Sequence, residues 1–145
     1  MKIYLATDHA GFELKNFLKD NLLNKGYDVE DCGAFTYEPM DDYPDFIMPA
    51  AEKVVKDPDS MGIILGGSGQ GEAMAANRVK GARAVVYYNG PKDIVTLSRS
   101  HNDANILSIG ARFITPKEAS EIVDLWLAED FEGGRHNNRI NKLDR

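Results

Sequence analysis

The feature that most constrains this chain is a regular alternation between short apolar segments and amphipathic segments with helical spacing. Residues 61–65 are almost wholly apolar, which is typical of a central parallel strand buried on both faces. Residues 44–56 instead place Ile47, Ala50, Ala51 and Val54 at the intervals of one helix face. Such alternation favours a parallel sheet covered by helices on both sides.

The same pattern extends over the whole chain and predicts five strands and six helices. The strands are predicted at residues 2–7, 27–31, 61–65, 82–88 and 106–109. The helices are predicted at residues 12–25, 44–56, 72–77, 91–100, 116–128 and 135–143. In the first helix, the buried face is predicted to consist of Leu14, Phe17, Leu18 and Leu22. Residues 1–145 therefore form one α/β domain, a three-layer α/β/α sandwich with a five-stranded, parallel, Rossmann-like sheet.

Composition excludes several classes of protein. The 145 residues contain 17 Lys and Arg against 23 Asp and Glu, for a formal net charge of −6. This acidic balance argues against a general nucleic-acid binder, which needs positive charge to neutralise phosphates. No apolar run is long enough to span a membrane, and the N-terminal apolar segment is too short for a signal peptide. A cytoplasmic location is the simplest expectation.

A glycine-rich turn follows the third predicted strand, with the sequence Gly66-Gly67-Ser68-Gly69-Gln70-Gly71. In parallel sheets of this kind, ligands bind beyond the carboxyl ends of the strands. Glycines let backbone N–H groups approach a phosphate or a developing oxyanion closely. The turn lacks the Lys-Ser or Lys-Thr of a Walker A loop and the glycine spacing of a dinucleotide site. From the residues alone, an anion site and an ordinary tight turn are equally good interpretations.

Several polar residues near the ends of predicted elements are candidates for proton transfer. Glu72 opens the helix after the glycine turn, where a carboxylate can act as a general base or simply interact with the helix dipole. Its position alone favours the structural role. Asp8 and His9 follow the first strand, either as a proton-transfer pair or as a helix cap and an exposed loop residue. His101 and Asn102 follow the fourth helix, either in a site or in an ordinary polar loop.

A basic cluster near the C terminus is suited to bind an anion. Arg135 and Arg139 are four residues apart and share one face of the last predicted helix, while Arg112 follows the fifth strand. Guanidinium groups bind phosphate well, although a solvated basic tail is the common alternative. Ile140 and Leu143 give this helix an apolar side, which predicts that the helix docks on another surface.

No residue pattern indicates a metal or an organic cofactor. The three histidines, His9, His101 and His136, do not pair at metal-ligand spacing on one helix. Cys32 is the only cysteine, so the chain has neither an internal disulfide nor a cysteine metal site.

Taken together, the ordered motifs of this chain resemble the type B ribose-5-phosphate isomerases, within the wider family that includes the galactose-6-phosphate isomerase subunits. The resemblance covers nearly the whole chain. Its motifs are Thr7-Asp8-His9-Ala10-Gly11, Asp42-Tyr43-Pro44-Asp45, Gly66-Gly67-Ser68-Gly69-Gln70-Gly71-Glu72, Ser100-His101-Asn102-Asp103-Ala104-Asn105, Gly110-Ala111-Arg112, and Phe131-Glu132-Gly133-Gly134-Arg135-His136 with Arg139. Part of the family carries a cysteine base at the position of Gly66. This chain resembles the other branch, which uses a glutamate at the position of Glu72.

The resemblance implies an aldose–ketose isomerase that interconverts ribose 5-phosphate and ribulose 5-phosphate through a cis-enediolate. It assigns Glu72 as the base that moves the proton. Backbone N–H groups of the turn, from Gly67 through Gly69 to Gly71, would stabilise the enediolate together with the Ser68 side chain. Because the substrate carbonyl supplies the acidity, neither a metal nor an organic cofactor is expected.

The resemblance also assigns the remaining site residues. His101, helped by Asp8, would open the furanose ring, Asn102 would hold a sugar hydroxyl, and Tyr43 would line the pocket. The phosphate would be bound by His9, Arg112, Arg135 and Arg139.

The family is dimeric with sites built from two subunits, which implies that the last helix of this chain reaches the partner's crevice. The expected ligand is a small phosphorylated sugar, and neither a nucleic acid nor a membrane is expected as a partner. Two alternatives stay open at the level of sequence. One is an isomerase of a six-carbon sugar phosphate, such as galactose 6-phosphate or allose 6-phosphate, and the other is a non-catalytic sugar-phosphate-binding module.

Overall fold

A five-stranded, all-parallel sheet with the strand order β2-β1-β3-β5-β4 forms the centre of the computed structural model, which describes residues 1–144. The strands are β1 (Lys2–Thr7), β2 (Asp28–Asp31), β3 (Ser60–Gly66), β4 (Ala84–Tyr87) and β5 (Ile106–Gly110). The helices are α1 (Phe12–Asn24), α2 (Pro44–Lys56), α3 (Gln70–Ala76), α4 (Asp93–Ser100), α5 (Pro116–Ala128) and α6 (His136–Ile140), and a short 3-10 helix (His9–Gly11) precedes α1.

The sheet is covered on both faces, as the alternating pattern predicts. Ile3 and Leu5 of β1 face a core built with α1, α4 and α5, whereas Tyr4 and Ala6 face a second core built with α2 and α3. This division follows from the two-residue period of a strand, which sends successive side chains to opposite faces. The predicted three-layer fold is therefore confirmed.

Within residues 1–144, no helix combines the length and the apolar character needed to cross a membrane.

Some predicted element ends are wrong. The strand predicted at 82–88 spans only Ala84–Tyr87, and the helix predicted at 135–143 spans only His136–Ile140. Gly133 and Gly134 both adopt positive φ and delay the start of this helix. After Ile140 the chain continues in tighter turns, in which the Leu143 N–H donates to the Ile140 carbonyl at 3.0 Å. Leu143 is exposed, so the chain itself does not cover this apolar side chain.

The buried face of α1 also differs from the prediction at one position. Phe17 is 41% exposed, whereas Lys15 is fully buried. The Lys15 ammonium donates to both carboxylate oxygens of Asp31, at 2.8 and 2.9 Å, and to the Ala34 carbonyl at 2.6 Å. Burial opposes ionisation of Asp31, but hydrogen bonds from Lys15 and the Gly33 N–H outweigh it and hold the pKa of Asp31 below its usual value. This ion pair fixes the start of the loop that follows β2.

We predict that Lys15→Ala lowers the free energy of unfolding by about 3–5 kcal/mol, because it leaves the half-buried Asp31 carboxylate without its main partner. Lys19→Ala is the matched control. The Lys19 ammonium lies 3.4 Å from the same carboxylate, but its side chain is 36% exposed, whereas that of Lys15 is fully buried, so its loss should cost no more than about 1 kcal/mol. Urea denaturation of both variants measures the difference, and equal losses would contradict this role of Lys15.

Candidate active site

The candidate site is built on the ends of the two central strands, β3 and β5. Their last residues, Gly66 and Gly110, are paired in the sheet, and the following turn lies directly against the end of β5. A Cβ atom on Gly110 would stand only 2.6 Å from the Ser68 carbonyl oxygen, so this approach requires glycine. The Ser108 hydroxyl of β5 donates to the Gly69 carbonyl at 2.6 Å and so ties the turn to this strand.

The glycine turn keeps backbone donors available to a ligand. Gly69 has φ +80°, a left-handed conformation that turns the chain into α3. Within residues 1–144, no group accepts a hydrogen bond from the N–H of Gly67, Ser68 or Gly69. Three consecutive free N–H groups at the carboxyl edge of a sheet are suited to hold a phosphate or an oxyanion.

Glu72 lies in the first turn of α3 and is only 5% exposed. Its carboxylate folds back over the end of β3, where a Cβ atom on Gly66 would overlap Glu72 Oε1. Burial raises the pKa of the Glu72 carboxyl above its usual value, and the nearby charge of Asp8 adds to this effect, while the backbone N–H of Glu72 opposes it. A buried carboxylate with a raised pKa is well suited to act as a general base.

Asp8 and His9 follow the end of β1, and the Asp8 carboxylate is close enough to Glu72 to help raise the pKa of Glu72. Asp8 is buried and caps the short 3-10 helix by accepting a hydrogen bond from the Ala10 N–H at 2.9 Å. The carboxylate of Asp41 accepts from the His9 backbone N–H at 3.0 Å, and the same oxygen lies 2.7 Å from His9 Nδ1. When Nδ1 donates its proton to Asp41, the other ring nitrogen of His9 is free for a ligand.

Asp41 is a residue that the sequence motifs did not single out. The only indication was its place in the loop between the second predicted strand and the next helix, at the edge where ligands bind. Its second carboxylate oxygen is buried without a hydrogen-bond partner among residues 1–144. Asp41 therefore belongs to the site as the group that orients His9.

Two further predicted site residues approach the glycine turn. The Arg112 guanidinium lies 3.1 Å from the position that a Cβ atom on Gly67 would take. The Tyr43 ring lies 2.8 Å from the equivalent position on Gly71. Absence of side chains at both glycines thus lets a cation and an aromatic ring close the two sides of the turn. The residues gathered here, called the carboxyl-edge group, are Asp8, His9, Asp41, Tyr43, the turn 66–71 with Ser68, Glu72 and Arg112.

The other predicted site residues lie at the opposite edge of the sheet. Helix α4 runs antiparallel to the strands, so His101 and Asn102 at its end lie near the strands' amino ends. The Asn105 carbonyl accepts from the Gly62 N–H at 2.8 Å, which fixes this loop to the start of β3. The five residues of β5 separate the two edges by about 16 Å, given a rise of about 3.3 Å per residue.

The C-terminal segment joins His101 at this amino edge. The Glu132 N–H donates to the Ser100 carbonyl at 3.0 Å, and the rings of His101 and His136 are stacked with centroids 4.4 Å apart. Arg135 and Arg139 accompany His136 on α6, where Arg139 Nη1 donates to the Arg135 carbonyl at 2.9 Å. One chain therefore does not bring the predicted site together, because this amino-edge group, namely His101, Asn102, Arg135 and Arg139, lies far from Glu72.

The fold and the carboxyl-edge group define an α/β protein with a candidate anion site beside a buried carboxylate. Residues 3–143 match the model of the Ribose/Galactose Isomerase family, and the chain belongs to this family.

Individual relatives agree with this assignment over the full length of the chain. Ribose-5-phosphate isomerase B of Mycolicibacterium paratuberculosis is 46% identical over 144 residues, which cover 99% of this chain and 89% of that protein. The crystal structure of ribose-5-phosphate isomerase B from Mycoplasma genitalium with bound ribulose-5-phosphate superposes with a TM-score of 0.94, at 41% identity, covering 99% of this chain and 94% of that chain. The Thermotoga maritima enzyme superposes with a TM-score of 0.92 at 44% identity, covering 99% and 97%.

We predict that Gly66→Ala destabilises the protein by about 1–3 kcal/mol, because the added methyl overlaps the Glu72 carboxylate. In a Glu72→Ala background this cost should largely disappear, with a coupling energy of at least about 0.5 kcal/mol in the double-mutant cycle.

Gly62→Ala provides the matched control on the same strand. Its added methyl meets the Val54 side chain at 2.9 Å instead, so its cost should be the same in both backgrounds. Chemical denaturation of the variants gives the four free energies of each double-mutant cycle. If Gly66→Ala costs as much without Glu72 as with it, the proposed contact between the two positions is wrong.

Proposed function

We propose that this protein is an aldose–ketose isomerase that interconverts ribose 5-phosphate and ribulose 5-phosphate, with Glu72 as the base. The observation that carries the proposal is the buried Glu72 carboxylate, folded over Gly66 beside three free backbone N–H groups. Two findings from relatives support the proposal. The matching proteins are named ribose-5-phosphate isomerase B, and the Mycoplasma genitalium enzyme has ribulose-5-phosphate bound.

The chemistry follows from the position of this carboxylate. With the open-chain aldose bound, Glu72 removes the proton from C2, and the electron pair of that bond forms the C1–C2 double bond. The carbonyl oxygen at C1 takes the negative charge of the enediolate. Glu72 then returns the proton to C1, while a proton passes from the C2 hydroxyl to the oxygen on C1, which gives the ketose. Each step moves a proton only, so no electron acceptor is required.

The glycine turn stabilises the charge that develops in this reaction. The free N–H groups of Gly67, Ser68 and Gly69 are fixed by the packing of the turn against β5 before the substrate binds. Donors that are already in place cost no reorganisation when the oxyanion forms, which is the main source of such stabilisation. The Ser68 hydroxyl supplies a further polar contact with the enediolate.

The remaining steps need groups from both edges of the sheet. His9 and Arg112 bind the phosphate from the carboxyl edge, and Tyr43 lines the pocket. From the amino edge, His101 opens the furanose ring with help from Asp8 of the carboxyl edge, and Asn102 holds a hydroxyl. Arg135 and Arg139 complete the phosphate site. Because about 16 Å of sheet separates the two edges within one chain, a second copy of the chain supplies the amino-edge group.

Exposed apolar side chains support such a homodimer with shared sites. Met74 of α3 and Tyr88 at the end of edge strand β4 are both exposed, and the Tyr88 ring packs against the exposed Phe113 ring at 5.7 Å. At the amino edge, the exposed Leu143 lies beside Asn102 in one surface groove. Large apolar side chains that stay exposed in one chain are often covered at a subunit interface.

A cytoplasmic location fits the same proposal. Cys32 is a free thiol, half-buried and without a disulfide partner, and burial raises its pKa. Such a cysteine is typical of a reducing compartment.

The net charge of −6 also argues against nucleic acid as a partner.

We predict that Glu72→Gln lowers kcat for ribose 5-phosphate by about 10²–10⁴-fold, because the amide cannot accept the C2 proton. Affinity for the substrate should change little, since the glycine turn and the phosphate-binding groups remain. A coupled isomerase assay gives kcat, and calorimetry gives the affinity.

The activity of the wild type should depend on pH, because only the ionised Glu72 carboxylate can accept the proton. The activity should fall as the pH drops through the pKa of Glu72, which is raised above the ordinary value of 4.5.

Glu118→Gln is the control, since Glu118 is also a first-turn glutamate but is exposed on α5. Its kcat should equal that of the wild type. Normal turnover by Glu72→Gln would contradict the assignment of the base.

The same assay with galactose 6-phosphate and allose 6-phosphate tests the six-carbon alternative. That alternative would be favoured if either sugar is turned over faster than ribose 5-phosphate.

We predict that two inactive variants, Glu72→Gln and His101→Asn, restore activity when they are unfolded and refolded together. In a mixed dimer, one shared site carries both substitutions and the other carries neither. Equal mixing should therefore recover about a quarter of the wild-type activity, since half of the dimers are mixed and each has one intact site. Refolded wild type sets the full value. If the mixture shows only the summed activity of the two variants, the site is not shared.

A further inference from the structure

A histidine that the proposed reaction does not use lies directly against His101. The rings of His101 and His136 are nearly parallel, with an interplanar angle of 17° and centroids 4.4 Å apart, so they are in face-to-face contact. The side chain of His136 is 11% exposed, whereas that of His101 is 38% exposed. His136 therefore forms a buried, flat platform for a ring that itself reaches the solvent.

The backbone holds both histidines in place. The His101 N–H donates to the Leu97 carbonyl at 2.9 Å as α4 ends, and His136 is the first residue of α6. The segment before α6 is tied to the end of α4, because the Glu132 N–H donates to the Ser100 carbonyl at 3.0 Å. The two rings are therefore brought together by the fold of one chain, before a substrate binds.

The stack is the main contact that orients the His101 ring. A functional histidine is commonly oriented by a hydrogen bond from one ring nitrogen, as His9 is by Asp41 at 2.7 Å. Within residues 1–144, the His101 ring has no such partner, since its nearest carboxylate oxygen, Oε2 of Glu132, lies 3.9 Å from Nε2. The torsion that sets the plane of a histidine ring is broad, so a neighbouring surface has to fix it. Stacking fixes the plane and leaves both ring nitrogens available to a sugar.

We propose that His136 is a positioning residue, which holds the His101 ring by stacking in the orientation needed to open the sugar ring. The proposal rests on the proposed function, in which His101 opens the furanose form of ribose 5-phosphate. In that step the bond between C1 and the ring oxygen breaks, and its electron pair goes to the ring oxygen. This oxygen takes a proton from a His101 nitrogen, while the C1 hydroxyl passes its proton to Asp8 and becomes the carbonyl. The nitrogen has to lie within hydrogen-bond reach of the ring oxygen, so the plane of His101 matters.

The flat shape of His136 carries this role, and the charge near the pair does not. Glu132 is the carboxylate closest to both rings, with Oε2 3.6 Å from His136 Nε2. Its side chain is 61% exposed, so solvent screens its charge and the ion pair contributes little. The stack, in contrast, is backed by a side chain that is almost completely buried. An uncharged aromatic ring at position 136 should therefore replace the histidine.

Two substitutions at position 136 separate shape from volume. His136→Phe keeps a flat ring and removes the titratable nitrogens, whereas His136→Leu keeps a similar volume without a flat face. We expect His136→Leu to lower kcat for ribose 5-phosphate by about 10–100-fold, since a misplacement of about 1 Å costs up to about 10²-fold in rate. His136→Phe should keep most of the wild-type kcat, and Glu132→Gln is the control that removes only the charge and should leave kcat unchanged. Thermal unfolding shows which variants are folded, and if His136→Phe is not, His136→Leu decides alone.

Proton exchange distinguishes a defect in ring opening from general damage to the site. Ribulose 5-phosphate has no furanose form, because its C5 oxygen carries the phosphate. Exchange of its C1 proton with D₂O, followed by NMR, therefore requires proton transfer by Glu72 but no ring opening. His136→Leu should exchange this proton at the wild-type rate while it turns over ribose 5-phosphate slowly. Equal losses in both measurements, or wild-type turnover of ribose 5-phosphate by His136→Leu, overturn the proposal.

NMR of the imidazole protons tests the stack without any assay of activity. The ring current of an aromatic ring at position 136 shifts the ring protons of His101, so this shift should persist in His136→Phe and disappear in His136→Leu. An unchanged His101 spectrum in His136→Leu overturns the proposal and leaves the proposed function standing. A wild-type protein that shows the stack but does not isomerise ribose 5-phosphate contradicts the proposed function itself, and with it the role of His136 in ring opening.

Discussion

The close approach of the glycine turn to the paired ends of β3 and β5 is the constraint on which the candidate site depends. Gly66 leaves the space that the Glu72 carboxylate fills, and Gly110 lets the Ser68 carbonyl rest against the neighbouring strand. Because the hydrogen bond from Ser108 to the Gly69 carbonyl fixes the turn, the free N–H groups of the turn are in place before a ligand binds. The same packing excludes water from Glu72, and this burial raises the pKa of the carboxyl.

The direction of the connecting helices explains why one chain holds two separate groups of functional residues. A residue that follows a strand lies at the carboxyl edge, and a residue that follows a helix lies at the amino edge. Glu72 and Arg112 belong to the first kind, whereas His101 and Arg135 belong to the second. Under the proposed function, the site needs residues of both kinds, and a second copy of the chain would have to supply one of the two groups.

Most of the fold could be predicted because each central strand is a continuous apolar run and each helix carries one apolar face. The prediction failed for α1, where the alkyl chain of Lys15 takes a buried place and its ammonium pairs with Asp31, while Phe17 stays exposed. Apolar periodicity cannot detect a buried ion pair. Nor could it identify Asp41, since the contact with His9 joins residues from two different loops.

The sequence by itself determined the order of strands and helices, the parallel sheet and the family, because these follow from local periodicity and from short motifs in a fixed order. It also nominated Glu72, although its position alone could not distinguish a base from a helix-end acid. The tertiary structure adds the observation that supports a base, because it buries the carboxylate over Gly66. It likewise decided which residues meet, because the contact of His101 with His136 depends on packing between distant segments of the chain.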